Sequence, residues 1–500
     1  MKTSTIPRLG ALPSVVLGAM ALAASPAGAQ PTTQTPVQAQ PAPASPEASY
    51  PRKATGVGAV IGGYAEARWA ENWSAYRDPA KRTDALDALK YIPLSDDGSV
   101  WLSLSGEMRA RTAWFSSPGL RDTPDQRLDT LRLVGGADLH IGSHLRFYGE
   151  LTHAGAGGDN IGNPVGAIRN DLAATQAFLD VTGQVGGHEV GARYGRQFFT
   201  DGSPYLVSTK NGATVLSPFQ GTRAWVRGRH WRADVFDLKP VVFGTSGLED
   251  DRADDARRFS GVTASLAVPK SWFGGSELYF DPFVWRYESD TRRWGATTAH
   301  ESREYHGARV WGQAGAVGLD WALARQTGRY GPRDIDAWHL FTQQNVALGE
   351  GQGAPRLGLR FDYGSGGGAY DAGPMKNAVT PQGVPIFYSY QNAFNPVNMI
   401  ALAPSVVVRR GATAFTAEVQ GTWRASRRDA VYRATDLPYA GTQNGDGRRV
   451  GEVYRLQVAH TLSSRASLLG RYEHLAAGPA LTDAGYGDAD YLTAWINFRF

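Results

Sequence analysis

The ten residues YLTAWINFRF, Tyr491 to Phe500, decide how the rest of the chain reads. Leu492, Ala494, Ile496, Phe498 and Phe500 take every second position, while Thr493, Asn497 and Arg499 take the others with Trp495 among them. Successive side chains of a β-strand point to opposite faces, so the stretch predicts a strand with one apolar and one mixed face. Soluble chains more often finish in a polar, frayed tail. A strand carried to the last residue needs a partner strand and an apolar surrounding for its outer face.

Working outward from that end, the same period of two returns as far back as Trp101. In WLSLSGEMRARTAWF, Leu102, Leu104, Gly106, Met108, Ala110, Thr112 and Trp114 alternate with Ser103, Ser105, Glu107, Arg109 and Arg111. LRFYGEL sets Leu145, Phe147 and Leu151 against Arg146, Tyr148 and Glu150; VYRLQVAH sets Tyr454, Leu456 and Val458 against Arg455 and Gln457. RLGLRFDY and AFTAEVQGTWR divide the same way. Roughly sixteen to eighteen such segments follow one another, separated by clusters of Gly, Asp, Asn and Pro. No internal run of about twenty apolar residues exists, which excludes helical spanning. Trp101, Trp114, Trp231, Trp272, Tyr287, Trp423 and Tyr491 gather near segment ends, as in the aromatic girdles of membrane barrels. A bilayer cannot satisfy an open sheet edge, so a membrane sheet must close. The expected fold is all-β: a closed antiparallel transmembrane barrel of about eighteen strands with an aqueous lumen. The last strand is expected to pair with the first near Trp101. It resembles the C-terminal signal of bacterial outer-membrane barrels, which implies that Tyr491–Phe500 meets the barrel-insertion machinery.

Composition agrees with many short strands and turns. Only 20% of residues are charged and 42% are hydrophobic, Gly numbers 60, and the mean hydropathy is −0.33. A formal charge of +4 gives no argument for a nucleic-acid partner. With 8 Lys, 43 of the 51 basic residues are Arg, which fits either recognition of carboxylates by planar guanidinium groups or a GC-rich coding bias. Lys2 and Arg8 precede an apolar stretch from Leu9 to Ala24 and the small-residue site Ala27-Gly28-Ala29, so residues 1–29 read as a signal peptide. Cleavage there leaves 49 basic against 47 acidic residues, a net of +2. Without Cys, neither a disulfide nor a lipidated cysteine can hold or anchor the exported chain. Residues 30–63 read as a Pro/Gln/Ala-rich flexible linker, 64–99 as a structured lead-in with Trp69, Trp73 and Tyr76 at near-helical spacing, and 100–500 as the barrel.

The polar face predicted by period two holds Arg109, Arg111, Arg132, Arg193, Arg223, Arg309, Arg360, Arg424, Arg455 and Arg499. It also holds Glu107, Asp138, Glu150, Asp180, Asp362 and Glu418. That excess of Arg predicts an electropositive pore favouring anionic solutes. The competing reading is a set of interstrand ion pairs that only stiffen the wall. There is no G-x-S-x-G, H-E-x-x-H or G-x-x-x-x-G-K-[ST] motif, and His140, His144 and His153 do not share a strand face with a Ser or paired carboxylates. GAGGDN, Gly155 to Asn160, reads as a Gly-rich turn in preference to a calcium loop. No catalytic residue, metal or cofactor is expected.

Three stretches share a further likeness. They are WSAYRDPAKRTDALDALKYIPLSDDGSVWLSLSGEMRAR (Trp73 to Arg111), ARYGRQFFTDGSPYLVSTKNGATVLSPFQGTR (Ala192 to Arg223), and NMIALAPSVVV (Asn398 to Val408) followed by WRASRRDAVY (Trp423 to Tyr432). Together they resemble the alginate export family of outer-membrane proteins, from about Trp69 to the C-terminus. The resemblance implies a monomeric eighteen-stranded barrel in outer-membrane lipid, gated by its loops. It also implies passive export of an acidic polysaccharide through a narrow Arg-rich constriction, with periplasmic polysaccharide-secretion components as partners. Arg109, Arg111, Arg193, Arg196 and Arg223 fall on the family's Arg-bearing motif positions, and Arg455, Arg471 and Arg499 on its late strands. With Arg132, Arg360, Glu107, Asp138 and Glu150 from the period, these form the expected pore-lining and substrate-binding set. TPQGVPIFYSYQNAFNP, Thr380 to Pro396, matches no stretch of the family and reads as a gating or a variable extracellular loop.

Three functions remain open to the sequence: an export channel for an alginate-like polyuronate or its oligomers, a general or sugar and anion uptake porin, and a structural barrel whose loops matter more than its pore.

Overall fold

The computed structural model describes residue 50, residues 60–61, 64–351 and 353–500; the expected signal peptide and most of the linker lie outside the described residues. Eighteen long strands run antiparallel around a closed barrel. They are β1 (Val100–Phe115), β2 (Gln126–Ile141), β3 (Leu145–Asp159), β4 (Asn170–Val185), β5 (His188–Gln197) and β6 (Phe219–Arg227). Then come β7 (Trp231–Val242), β8 (Arg257–Ala267), β9 (Glu277–Trp294), β10 (Thr297–Ala314), β11 (Val317–Tyr330) and β12 (Arg333–Ala347). The last six are β13 (Arg356–Gly364), β14 (Met399–Arg410), β15 (Thr413–Arg424), β16 (Arg449–Thr461), β17 (Ala466–Ala477) and β18 (Ala489–Arg499).

Period two has its expected consequence. Met108, Leu133 and Phe147 are 40%, 41% and 44% exposed, whereas Glu107, Arg132 and Glu150 on the other face are 5%, 1% and 2% exposed. The apolar residues therefore form the outer wall and the charged ones the inner wall. Connections at the end that carries Phe500 are mostly tight. Gly186 and Gly187 link β4 to β5 with φ of 56° and 79°, the left-handed conformation a two-residue hairpin turn requires. Connections at the opposite end include 198–218, 365–398 and 425–448. Short turns face the periplasm in barrels of this kind, so the Phe500 end is the periplasmic mouth.

Closure is made by β18 on β1, in register from Tyr491 opposite Phe115 to Arg499 opposite Glu107. Phe500 extends the ladder, donating to the Gly106 carbonyl at 3.1 Å and accepting from the Gly106 amide at 3.0 Å. The expected pairing near Trp101 is corrected in one respect. Residues Trp101 and Leu102 pair with Pro93 and Ile92, so the lead-in occupies the edge of β1 below the point where β18 stops.

The aromatic girdle is also only partly as expected. Trp114, Trp231 and Trp272 are exposed on the outside. Tyr287 and Tyr491 are 5% exposed and face inward, and Trp101 stacks on His140 with centroids 3.9 Å apart. Along β6 to β9 the inner wall carries an apolar patch above its charged residues: Phe219, Phe236, Phe259, Phe283 and Trp285 pack with Phe199 and Leu206 of the 198–218 loop. That cluster is a hydrophobic core built inside the lumen, and it draws the loop inward.

Candidate functional site

Two long connections from the extracellular end fold into the lumen and meet there. The Gln382 amide donates to the Leu206 carbonyl at 3.0 Å, and the Ser208 amide to the Gln382 carbonyl at 2.9 Å. The Tyr205 ring packs on Phe387 with centroids 4.3 Å apart and on Phe341 of β12 at 5.0 Å. Thr380–Pro396 thus belongs to the constriction. One carboxylate places its tip: Glu473 on β17, fully buried, accepts from Ser389 Oγ at 2.6 Å, the Tyr390 amide at 2.5 Å and Gln391 Nε2 at 3.1 Å.

Inner-wall arginines clamp the loops by their backbone carbonyls. Arg109 Nη1 donates to Asn211 O at 3.0 Å, Arg111 Nη1 to Gly212 O at 2.6 Å and Arg455 Nη1 to Phe387 O at 2.8 Å. Arg309 Nη1 reaches Gly202 O at 2.7 Å and Arg424 Nη1 reaches Thr442 O at 2.6 Å. The anchor at Asp201 is ionic. Burial would push its carboxyl up, but Arg232 and Arg223 hold it down at about 2, so the tether stays charged at any physiological pH.

Most residues of the expected pore-lining set face inward but are already engaged. Arg132 gives Nε and Nη2 to Glu107 Oε1 at 2.9 and 2.6 Å, and Arg499 Nε lies 3.5 Å from Glu107. Arg193 pairs with both Asp180 oxygens at 2.7 Å and Arg223 with Asp234 at 2.7 Å. Arg360 bonds Asp362 and gives Nη2 to Gln420 at 2.6 Å; Arg455 bonds Glu418. Asp138 is held by Arg146, and Glu150 accepts from Tyr148 and Thr175 at 2.9 and 2.8 Å. For these residues the wall-stiffening reading describes what is seen, and Arg193 in particular is a buried strut.

Arg196 is a correction. It lies three residues from Arg193, an odd step, and pairs across from the exposed Ala177 on the outer face, where Nη1 donates to Ala174 O at 2.8 Å.

Two arginines stand apart. Among the described residues neither Arg111 nor Arg471 has a carboxylate within ion-pair distance, and both are partly exposed to the lumen. Arg471 gives Nε to Gln457 at 2.7 Å and sits between the rings of Tyr390 and Trp495, 4.7 and 4.9 Å from their centroids. Arg111 stands directly opposite Trp495 on the neighbouring strand, and Arg109 lies 5.7 Å from the same ring. The sequence reading missed Tyr390 because its loop lacks any period, and left Trp495 without a role although its odd position already put it inside.

The lead-in enters this lumen from the periplasmic mouth. Arg68 spans two wall carboxylates, bonding Glu107 and donating Nη1 to Glu150 at 2.9 Å. Trp69 packs edge-on against Phe178 at 6.0 Å and lies 3.8 Å from the Arg193 guanidinium, while Glu66 accepts from Thr209 of the constriction. Arg465, in the β16–β17 turn, clamps Asp84 and Asp87. The near-helical aromatic spacing expected here resolves into short 3-10 turns, including Arg68–Ala70 and Ser74–Arg77.

Behind Arg68, Glu71 and Lys90 face each other at 4.0 Å. Burial pushes the Glu71 carboxyl up to about 7 against the pull of Lys90 and Arg68. Burial also lowers the Lys90 ammonium to about 8 despite Glu71, with Arg465 and Arg68 lowering it further and Asp87 opposing them. A carboxyl raised on docking stabilises the docked state in acid and loses that contribution as pH rises through about 7. An ammonium lowered on docking contributes in alkali and loses its contribution as pH falls through about 8. Docking is therefore weakest between these values. Protease cleavage within residues 64–91 of the reconstituted channel is expected to peak there and to fall by about tenfold towards pH 5. Glu71→Gln should flatten the acid limb; a pH-independent cleavage rate in the parent protein would contradict the assignment.

A closed barrel with lipid-facing apolar residues, a charged inner wall and a lumen narrowed by its own loops defines an outer-membrane channel. The chain belongs to the alginate export family, whose model matches residues 100–495. Solved structures of Pseudomonas aeruginosa channels share the fold. OccK5 (OpdH) is 12% identical over 79% of this chain and 98% of its own, with a TM-score of 0.51. OccK2 (OpdF), solved in complex with glucuronate, is 13% identical over 82% and 98%, with a TM-score of 0.50. OccD3 (OpdP) is 11% identical over 82% and 93%, also at 0.50. No curated protein matches the chain by sequence.

Proposed function

We propose that the channel passes an anionic saccharide, an alginate-like polyuronate or its oligomers, by passive diffusion past Arg111 and Arg471. The observation that carries this reading is that, among the described residues, both lack a carboxylate partner beside the constriction, where Arg132, Arg193 and Arg223 are neutralised. Two unneutralised guanidinium groups flanking Trp495 offer planar forks to carboxylates and a ring to sugar faces. An uptake porin for small carboxylated sugars would use the same residues. The filled lumen favours small solutes while the lead-in is docked, and OccK2, a distant structural neighbour, is solved with a uronate monomer. The two readings share charge selectivity and differ in solute length.

Reversal potentials across a bilayer with a KCl gradient test the shared part. The parent channel is expected to prefer chloride, and Arg111→Gln/Arg471→Gln to lose most of that preference. Cation preference in the parent would overturn the proposal. Uptake of labelled oligouronates of increasing length into liposomes separates the readings by the size at which flux stops.

A further inference from the structure

Among the described residues, the lead-in contacts the β1–β5 and β16–β18 side of the periplasmic mouth, Tyr50 packs on Tyr279 of β9 and against Trp311 of β10, and no bond from the lead-in falls on β11 to β14. A cavity there is lined by Gln313, Asp320, Gln343, Asn345, Arg356 and Arg409. Asp320 brings no free charge, since Arg309 takes both its oxygens at 2.6 Å. Arg356 donates Nε and Nη2 to the neutral Asn345 Oδ1 at 3.1 and 2.8 Å, and neither it nor the exposed Arg409 has a carboxylate partner among the described residues. Arg356 stands opposite Val407 in the β13–β14 register, so Arg409 is its diagonal neighbour on the same face, about 7–8 Å away between Cα atoms. Gln343 pairs across from Arg360, a member of the constriction network, so the recess opens onto the narrow part of the pore.

We infer that this recess is a capture site for a carboxylated saccharide at the periplasmic mouth. Arg356 and Arg409 would take carboxylates, and Gln313, Gln343 and Asn345 would exchange hydrogen bonds with hydroxyls. Amides can serve hydroxyls as donor and acceptor, and a guanidinium fork matches a carboxylate in a way an isolated ammonium does not. A neutral oligosaccharide would meet the amides but leave both cations unanswered, which sets the specificity. The location adds a role that the constriction alone lacks: it raises the local concentration of the anionic chain beside the passage before threading. The inference rests on the proposed solute class, not on Arg111 or Arg471.

Single-channel block tests it with the full chain and two probes, tetragalacturonate and the neutral maltotetraose. Tetragalacturonate added on the Phe500 side should block the parent channel, with an association rate about tenfold lower in Arg356→Gln/Arg409→Gln. Block from the opposite side should be unaffected, and maltotetraose should block the two channels alike and weakly. Arg409→Gln alone, at an exposed position without a carboxylate partner among the described residues, should show a smaller loss and keeps the test available if the double variant inserts poorly. Equal association rates in parent and variants, or equal block by maltotetraose, would overturn the capture site. Arg111→Gln/Arg471→Gln separates the two proposals: it should remove most of the charge selectivity while leaving the association rate from the Phe500 side intact. If the Phe500-side rate fell only in that variant, the constriction would be doing the capture and the recess would be excluded.

Discussion

Arg68→Ala is expected to release the N-terminal segment and raise single-channel conductance several-fold. The Arg68 guanidinium is 6% exposed and answers two carboxylates that are themselves 2% and 1% exposed. Removing one partner of a buried ion pair costs about 3–5 kcal/mol, because the remaining charge is left without compensation. The wall is protected against that loss. Glu107 keeps Arg132 at 2.6 Å and Arg109 at 3.4 Å, and Glu150 keeps Tyr148 and Thr175. The lead-in keeps its ties at Glu66, Asp84 and Asp87, but beside Arg68 it has no second ion pair to the wall among the described residues, and Trp69 stacks on a strut that Asp180 already holds. The cost therefore falls on docking, not on the barrel. Conductance of Arg68→Ala, with cleavage of residues 64–91 by added protease as a second readout, checks this. Parent conductance with the segment still protected would refute it. The same experiment bears on the polymer reading, because a polyuronate chain needs the space that Arg68, Trp69 and their neighbours fill.

The barrel was legible in the sequence because the pleat is local: each strand declares its two faces through its own alternate residues, and a membrane sheet has no option but closure. The same rule, applied strictly, also separates Arg196 from Arg193, since an odd step along a strand changes face. It was the motif likeness that put Arg196 in the pore. What period two cannot report is which inward residues are free. Arg109 and Arg111 meet Asn211 and Gly212, about a hundred residues away in sequence, and Tyr390 reaches Arg471 only because Glu473 holds its loop. Nor does it mark the extracellular half of β6–β9, where the inner face carries Phe219, Phe236, Phe259 and Phe283 and serves as a core for Phe199 and Leu206. The lead-in was read as structured, but where it docks is not a local property. Nothing in its mixed charges shows that Arg68 ends between Glu107 and Glu150, dozens of residues further along the chain.

Gly106→Val is expected to cut the amount of assembled barrel sharply, through the seam and not through the pore. A Cβ at position 106 would point to the outer face shared by Leu104 and Met108, and there it would lie 2.2 Å from Phe500 Cε1 and 2.7 Å from Cζ. Glycine is thus required by a ring that covers the backbone, in the last pair of the β1–β18 ladder. A branched side chain must expel that ring, and overpacking of this kind costs on the order of 1–3 kcal/mol. At the seam the cost acts on closure, because the two hydrogen bonds between Gly106 and Phe500 depend on the same approach. Phe500→Ala should also lower assembly, by uncovering the apolar surface the ring shields. The two changes are expected to be non-additive: with the ring gone, the branched side chain introduced by Gly106→Val meets no obstacle, so Gly106→Val/Phe500→Ala should assemble no worse than Phe500→Ala alone. Heat-modifiability on gels of outer-membrane fractions measures all three. Additive losses would mean that Gly106 matters for strand conformation and not for the fit of Phe500. Selectivity of whatever fraction assembles should match the parent, since Arg111 and Arg471 lie on the opposite face of the same wall.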